Sequence, residues 1–79
     1  MKGKILGCYS FNSKKGDELV NFSVVEDRLS CFGVCTCNVL ALKKDCPVPD
    51  LKDMINKTYV IDTRYNNGSA FASAFYEVK

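Results

Sequence analysis

Residues 56–79 read NKTYVIDTRYNNGSAFASAFYEVK, two runs with the composition of β-strands joined by a turn. The Asn67-Gly68 pair supplies the two positive-φ residues that a tight hairpin turn requires, and the flanking runs are rich in aromatic and β-branched residues. A cation and an aromatic ring, Arg64 and Tyr65, lie next to each other near the bend. The pattern predicts a C-terminal β-hairpin that presents both groups close to its tip.

Three further strands are predicted upstream of this hairpin. Gly3 and Gly7 mark positions where the first of them can bend or bulge. After the third strand, Asp50 can cap a helix of one or two turns. The predicted strands cover Lys2–Phe11, Glu18–Asp27 and Ser30–Leu42.

The order of these elements is strand, strand, strand, short helix, strand, strand. It is the connectivity of the oligonucleotide/oligosaccharide-binding (OB) fold, a five-stranded, partly open barrel. An SH3-like barrel also has five strands, but its short turn of helix falls between the last two of them. We therefore predict a mainly β, OB-fold-like Greek-key barrel with one short helix between strands 3 and 4, forming a single domain over residues 1–79.

Size and composition limit what the chain can be. It has 79 residues, a net charge of +2 and five cysteines. A chain of this length buries about 60–65% of its unfolded surface, so its core is small, and the charge is too mild to indicate a polyanionic ligand by itself. The odd cysteine count and the lack of a preceding export signal favour a cytoplasmic protein. No apolar run approaches the roughly 18–20 residues of a membrane span, so no membrane partner is expected.

The cysteines offer a possible metal site. Cys31, Cys35, Cys37 and Cys46 match the ligand number of structural zinc, but the first three lie along about 20 Å of the predicted third strand, which is too extended for a zinc knuckle. Buried, reduced thiols are the favoured interpretation, with no cofactor. A cysteine-stapled or metal-stabilised structural protein stays open as a weaker alternative. The chain has no histidine to act as general base for a cysteine nucleophile, so an enzyme is not expected.

Two short motifs resemble parts of one protein family. FNSKKG at residues 11–16 resembles a basic first loop, and YVID at residues 59–62 followed by Gly68-Ser69 resembles a last hairpin. The family is the small single-stranded-DNA-binding proteins of filamentous phages and related Gram-positive phage or plasmid elements, the gene V type. The resemblance runs over nearly the whole chain and implies a homodimer built through the terminal hairpin, with cooperative coating of DNA.

A protein that holds a single strand needs cations along the phosphates and flat side chains on which bases stack. Lysine pairs follow the first and third predicted strands, although such a pair alone is more typical of a solvated turn. Among the aromatics, we expect Phe22, Tyr59 and either Phe71 or Phe75 to fill the core. The predicted nucleic-acid-binding set is Tyr9, Phe11, Lys14, Lys15, Asn21, Arg28, Phe32, Lys43, Lys44, Arg64 and Tyr65.

Together these observations predict a non-catalytic, sequence-tolerant protein that binds single-stranded DNA during phage or plasmid replication, with RNA as an alternative ligand. A protein-interaction module, such as a phage-encoded inhibitor or accessory subunit, is the competing hypothesis. Such a module would use the C-terminal hairpin to add a strand to a partner's sheet.

Overall fold

The computed structural model describes residues 1–26, 32–48 and 50–79. Within these residues the elements are β1 (Lys2–Asn12), β2 (Glu18–Glu26), β3 (Thr36–Leu42), α1 (Leu51–Met54), β4 (Thr58–Asn66) and β5 (Ser69–Glu77). The strands close into a barrel in the order β1-β2-β3-β5-β4. The predicted fold class is confirmed: the chain is a mainly β, OB-fold-like barrel with its short helix between strands 3 and 4.

The barrel combines an antiparallel meander with a C-terminal hairpin. β1, β2 and β3 pair in sequence, and β4 pairs with β5. The circle closes where Gly3 of β1 pairs with Tyr59 of β4, and where Leu40 of β3 pairs in parallel with Phe71 of β5. The hairpin turns at the predicted residues, because Asn67 and Gly68 adopt φ values of 51° and 81°.

A β-bulge interrupts β1 next to one of the two predicted glycines. The register with β2 shifts between Ile5 and Gly7, which makes Leu6 the extra residue. A bulge reverses the alternation of side chains beyond it. Ile5 is fully buried, whereas Tyr9 and Phe11, which would share its face in a regular strand, are 60% and 37% exposed. The bulge thus moves two aromatic rings from the core side of the strand to the surface.

Aromatic and aliphatic side chains fill the barrel. The Phe22 ring lies 5.0 Å from that of Phe75, and the Tyr59 ring meets Phe75 edge-on at 5.9 Å, as centroid distances. The expected core aromatics are therefore confirmed, with Phe75 rather than Phe71 as the third. The buried hydrophobic residues are Ile5, Leu19, Val20, Phe22, Val24, Val39, Ala41, Cys46, Met54, Tyr59, Ile61 and Ala72.

The short helix α1 follows its predicted cap. The Lys52 amide donates a hydrogen bond of 3.1 Å to the Asp50 carboxylate, which satisfies one free donor of the first turn. Met54 on the helix is fully buried and packs into the barrel core. Within the described residues, no helix has the length and hydropathy of a membrane span.

The third strand is shorter than predicted. It begins at Thr36 rather than at Ser30, and Gly33 takes a φ of 78°, a conformation that a regular strand does not contain. Val34 is 78% exposed, outside the sheet. The predicted start of β3 at Ser30 and the predicted end of β2 at Asp27 both lie outside the described residues.

The cysteines differ in state. Cys35 is disulfide-bonded, whereas Cys8, Cys37 and Cys46 are not, so the prediction of reduced cysteines is wrong for Cys35. That prediction assumed an extended strand through residue 35, but the chain enters the strand only at residue 36. Burial raises the pKa of the Cys46 and Cys8 thiols. Cys31 lies outside the described residues, and among those described no group of three or more His, Cys, Asp or Glu side chains is placed to hold a metal ion.

β1 and β2 approach each other closely at Gly3. A Cβ atom at this position would lie 2.7 Å from the Val25 carbonyl oxygen and would also overlap the Val24 side chain. Because backbone cannot yield as a flexible side chain does, we expect Gly3→Ala to lower the free energy of unfolding by about 1–3 kcal/mol. Urea denaturation measures this change.

Gly7→Ala on the same strand is the matched control. No heavy atom lies within 4 Å of a Cβ built there. Its effect should stay within about 0.5 kcal/mol. Equal stability of the two variants would contradict the close approach at Gly3.

Candidate nucleic-acid interface

The outward side chains of the first three strands form one surface. Tyr9, Asn21 and Leu40 are successive register partners across β1, β2 and β3. Val39 and Ala41 of β3 point into the core. The side chains of a strand alternate, so their neighbours Asn38 and Leu40 point outward. We call this surface, made by Tyr9, Phe11, Asn21, Asn38 and Leu40, the β1–β3 face.

Two aromatic rings lie side by side on the β1–β3 face. The centroids of Tyr9 and Phe11 are 5.8 Å apart, with their planes inclined at 42°. They are two residues apart on one strand beyond the bulge, so both project outward. Exposed, adjacent rings of this kind offer the flat surfaces on which unpaired bases stack.

A cleft of about 290 Å³ opens at one end of the β1–β3 face. Asn21, Asn38 and Leu40 contribute the sheet side of the cleft, and Tyr65 lines it from the β4–β5 hairpin. The Tyr65 side chain is 73% exposed. The remaining lining residues are Met1, Cys37, Gly68, Ser69 and Ala70. The prediction that Tyr65 is exposed is therefore confirmed, and the structure brings it together with Asn21.

The loop between β1 and β2 carries a basic tip at the other end of the face. The Ser13 amide donates to the Asp17 carbonyl at 2.8 Å, and the Gly16 amide donates to the Ser13 carbonyl at 2.9 Å. These bonds make a tight turn that holds Lys14 and Lys15 in solvent. Among the described residues neither lysine has a carboxylate within ion-pair distance, so both charges are available to a ligand.

The second lysine pair is placed differently. Lys43 Nζ lies 2.7 Å from Glu18 Oε1, and Lys44 Nζ lies 3.4 Å from Asp17 Oδ1. Both bridges connect the end of β3 to the start of β2, next to the basic tip. Exposed ion pairs of this kind stabilise little, but each carboxylate offsets the charge of its lysine. The predicted Lys43 and Lys44 therefore lie near the face with their charges already balanced.

Arg64 and Tyr65 are adjacent in sequence and separate in space. Neighbouring residues of a strand point to opposite sides, and the two line different cavities. Arg64 borders a cavity of about 240 Å³, together with Leu42, Asp45 and Phe71. Both groups lie near the hairpin tip, but the alternation of the strand directs them to different sides, so they do not act on one ligand group together.

Of the remaining predicted site residues, one lies outside the sheet and the other outside the described residues. Phe32 is fully exposed at 101% in the segment before β3. It lies outside β3, because the chain enters that strand only at Thr36. Arg28 lies outside the described residues, so its role stays a prediction.

Asn38 is the site residue that the sequence analysis missed. The predicted third strand ran from residue 30 to residue 42, whereas the observed strand begins at Thr36. Asn38 and Leu40 lie on the side of the strand opposite to Val39 and Ala41, because side chains alternate along a strand. Only this alternation indicates that Asn38 faces the surface. A tighter strand boundary would have found this residue.

The arrangement combines stacking surfaces, side-chain amides and unpaired cations around a single face. These groups suit a flexible ligand with flat rings and negative charges. Tyr59 and Cys46 are core residues, and Cys8 and Cys37 are partly buried against the core. Burial, followed by the nearby Glu77 carboxylate, raises the pKa of Tyr59. Comparisons with family models, with curated proteins and with solved structures give no match to this chain.

Proposed function

We propose that this barrel binds single-stranded DNA without catalysis and with little sequence dependence, in phage or plasmid replication. One observation carries the proposal: the bulge at Leu6 turns Tyr9 and Phe11 outward onto a face bordered by a basic loop and a cleft. A core position would have been the default for both rings. Their exposure forgoes the stabilisation that burial would give, and a ligand that covers both rings recovers it.

In this proposal the strand lies across the β1–β3 face. Lys14 and Lys15 neutralise phosphates at one end, and bases stack on Tyr9 and Phe11 in the middle. Tyr65 contacts a base at the cleft. Arg64 on β4 pairs with Phe71 on β5. It offers a further cation to the phosphates of the DNA where the strand leaves the face.

The homodimer implied by the family resemblance is part of the proposal. Residues 70–75 of β5 are apolar but do not form a free surface for it, because Ala72 is buried and Phe75 packs against Phe22. Apart from Tyr65 at the cleft, the large exposed apolar side chains of the hairpin lie on the outer surface of β4 and β5 and just beyond it. They are Val60, Tyr76 and Val78.

Fluorescence anisotropy of labelled oligothymidine tests the proposal. Micromolar protein at low salt should raise the anisotropy, and the affinity should fall as salt rises because phosphate neutralisation releases counterions. A duplex of equal length and an RNA oligomer serve as competitors. No change in anisotropy at low salt would refute the proposal.

The basic tip should determine part of the salt dependence. Each phosphate contact on a single strand contributes about 0.7 to the slope of log affinity against log salt, so Lys14→Ala with Lys15→Ala should lower that slope by about 1.4. Anisotropy titrations at several salt concentrations measure the slope.

Lys52→Ala with Lys79→Ala is the matched control for the basic tip. It removes the same formal charge from two exposed lysines, one on α1 and one at the end of the chain. Its slope should remain that of the unmodified protein. Equal losses in the two double variants would mean that only net charge matters and that the basic tip makes no specific contact.

Strand addition to a partner's sheet is less favoured by the topology. β5 lies between β3 and β4, and β4 lies between β5 and β1, so neither hairpin strand is an edge of an open sheet. Strand addition needs an edge with free backbone donors and acceptors. We therefore place nucleic-acid binding first.

A further inference from the structure

The cleft beside Tyr65 contains two side-chain amides that no other function of the fold requires. Asn21 on β2 and Asn38 on β3 both line it. Neither side chain has a hydrogen-bond partner among the described residues. Each amide can therefore donate through its nitrogen and accept through its oxygen toward a group in the cleft.

The register places the two amides close together. Asn21 pairs with Leu40, and Asn38 pairs with Ser23, so Asn21 and Asn38 are diagonal neighbours on the same face. Diagonal positions on adjacent strands are about 7–8 Å apart, within the joint reach of two asparagine side chains toward one flat ligand. Two amides at this spacing can contact the hydrogen-bonding edge of a single planar ring.

The other walls of the cleft are suited to the faces of such a ring. Tyr65 provides an aromatic surface, and Leu40 and Met1 provide apolar ones. The volume of about 290 Å³ lies near the lower end of the usual range for small-ligand pockets, about 300–1,000 Å³. It is large enough for one nucleobase.

We infer that the cleft is a single-base pocket, in which Asn21 and Asn38 hydrogen-bond the edge of one unstacked base while Tyr65 covers its face. This inference rests on the proposed function and deepens it. Stacking on Tyr9 and Phe11 tolerates any base, because every base has a π-face. The amides recognise a pattern of donors and acceptors, so they give the bound strand a preference at one nucleotide.

Titrations with labelled homopolymers of thymidine, deoxycytidine and deoxyadenosine, all of one length, test the pocket. We expect the best and worst homopolymers to differ by about tenfold or more in affinity, the discrimination typical of one good bidentate contact. In the double variant Asn21→Ala with Asn38→Ala, the ratio of the best to the worst homopolymer affinity should fall toward one, because the amides that contact the base edge are gone.

Two controls separate base reading from general loss of binding. Thr36→Ala changes an exposed residue of the same strand that does not line the cleft, and it should leave the ratio unchanged. Tyr9→Ala should weaken all three homopolymers by a similar factor and keep the ratio. Thermal unfolding followed by circular dichroism confirms that each variant is folded.

The outcomes distinguish the two proposals. If the protein binds all three homopolymers with equal affinity, or if the amide variant loses affinity equally for all of them, the base pocket is wrong while single-strand binding stands. If no homopolymer binds, the proposed function is wrong and the base pocket with it. A base ratio that disappears only in the amide variant supports both.

Discussion

Replacing Tyr9 and Phe11 together by alanine is expected to weaken oligothymidine binding by about 100-fold. Each base stacked on an aromatic ring is worth roughly 1–3 kcal/mol by truncation, and neighbouring rings are not fully additive. The rings are 60% and 37% exposed, so their loss removes little from the core. Anisotropy titration at a fixed low salt concentration measures the change.

Tyr76→Ala is the matched control for these rings. Tyr76 is a 56% exposed aromatic that pairs with Val60 on the outer surface of β4 and β5. Tyr76 lies on the hairpin surface assigned to the homodimer and not on the β1–β3 face, so its removal should change the affinity for an oligothymidine short enough to occupy one barrel by less than about twofold. If Tyr76→Ala weakens binding as much as the double variant does, the ligand does not lie on the β1–β3 face.

Deletion of Leu6 is expected to straighten β1 and to leave the barrel folded, with Tyr9 and Phe11 still outward. Ile5 and Cys8 then lie two positions apart, as their partners Val24 and Phe22 do, so both halves of the strand keep their register and their sides. The free energy of unfolding should fall by about 0.5–3 kcal/mol, because the local bend and twist of the bulge are lost. Urea denaturation measures the loss.

Leu6→Ala separates the bulge from the side chain. Leu6 is 44% exposed, so truncating it keeps the extra residue and costs little burial. We expect a loss below about 1 kcal/mol. If the deletion prevents folding while Leu6→Ala does not, Leu6 is not simply the extra residue of the bulge.

The fold was predictable where one residue type dictates a local conformation. Asn67-Gly68 predicted the hairpin turn, because few residues tolerate positive φ. Asp50 predicted the start of α1, because its side chain can cap a helix. The order of these elements then gave the barrel. The start of β3 was missed because an alternating apolar pattern continues through Gly33, whose positive φ is not apparent from the pattern.

The site was less predictable, because it depends on pairing between distant strands. The exposure of Tyr9 follows from a one-residue shift against β2. Gly7 marked a place where β1 can bulge, but the sequence did not show that a residue is left over there. The balanced charge of Lys43 follows from the register that brings Glu18 beside it. The sequence indicates the chemistry of each residue. Contacts between distant strands determine whether that residue lies on the face, in the cleft or in an ion pair.

The most direct test of the account is to map the ligand on the protein surface. In two-dimensional proton–nitrogen NMR, added oligothymidine should shift the backbone amides of Tyr9, Phe11, Asn21 and Asn38. The amides of Val60 and Tyr76, on the outer surface of β4 and β5, should not move. Shifts confined to that outer surface, or no shifts at all at saturating oligothymidine, would contradict the claim that the β1–β3 face holds a single strand.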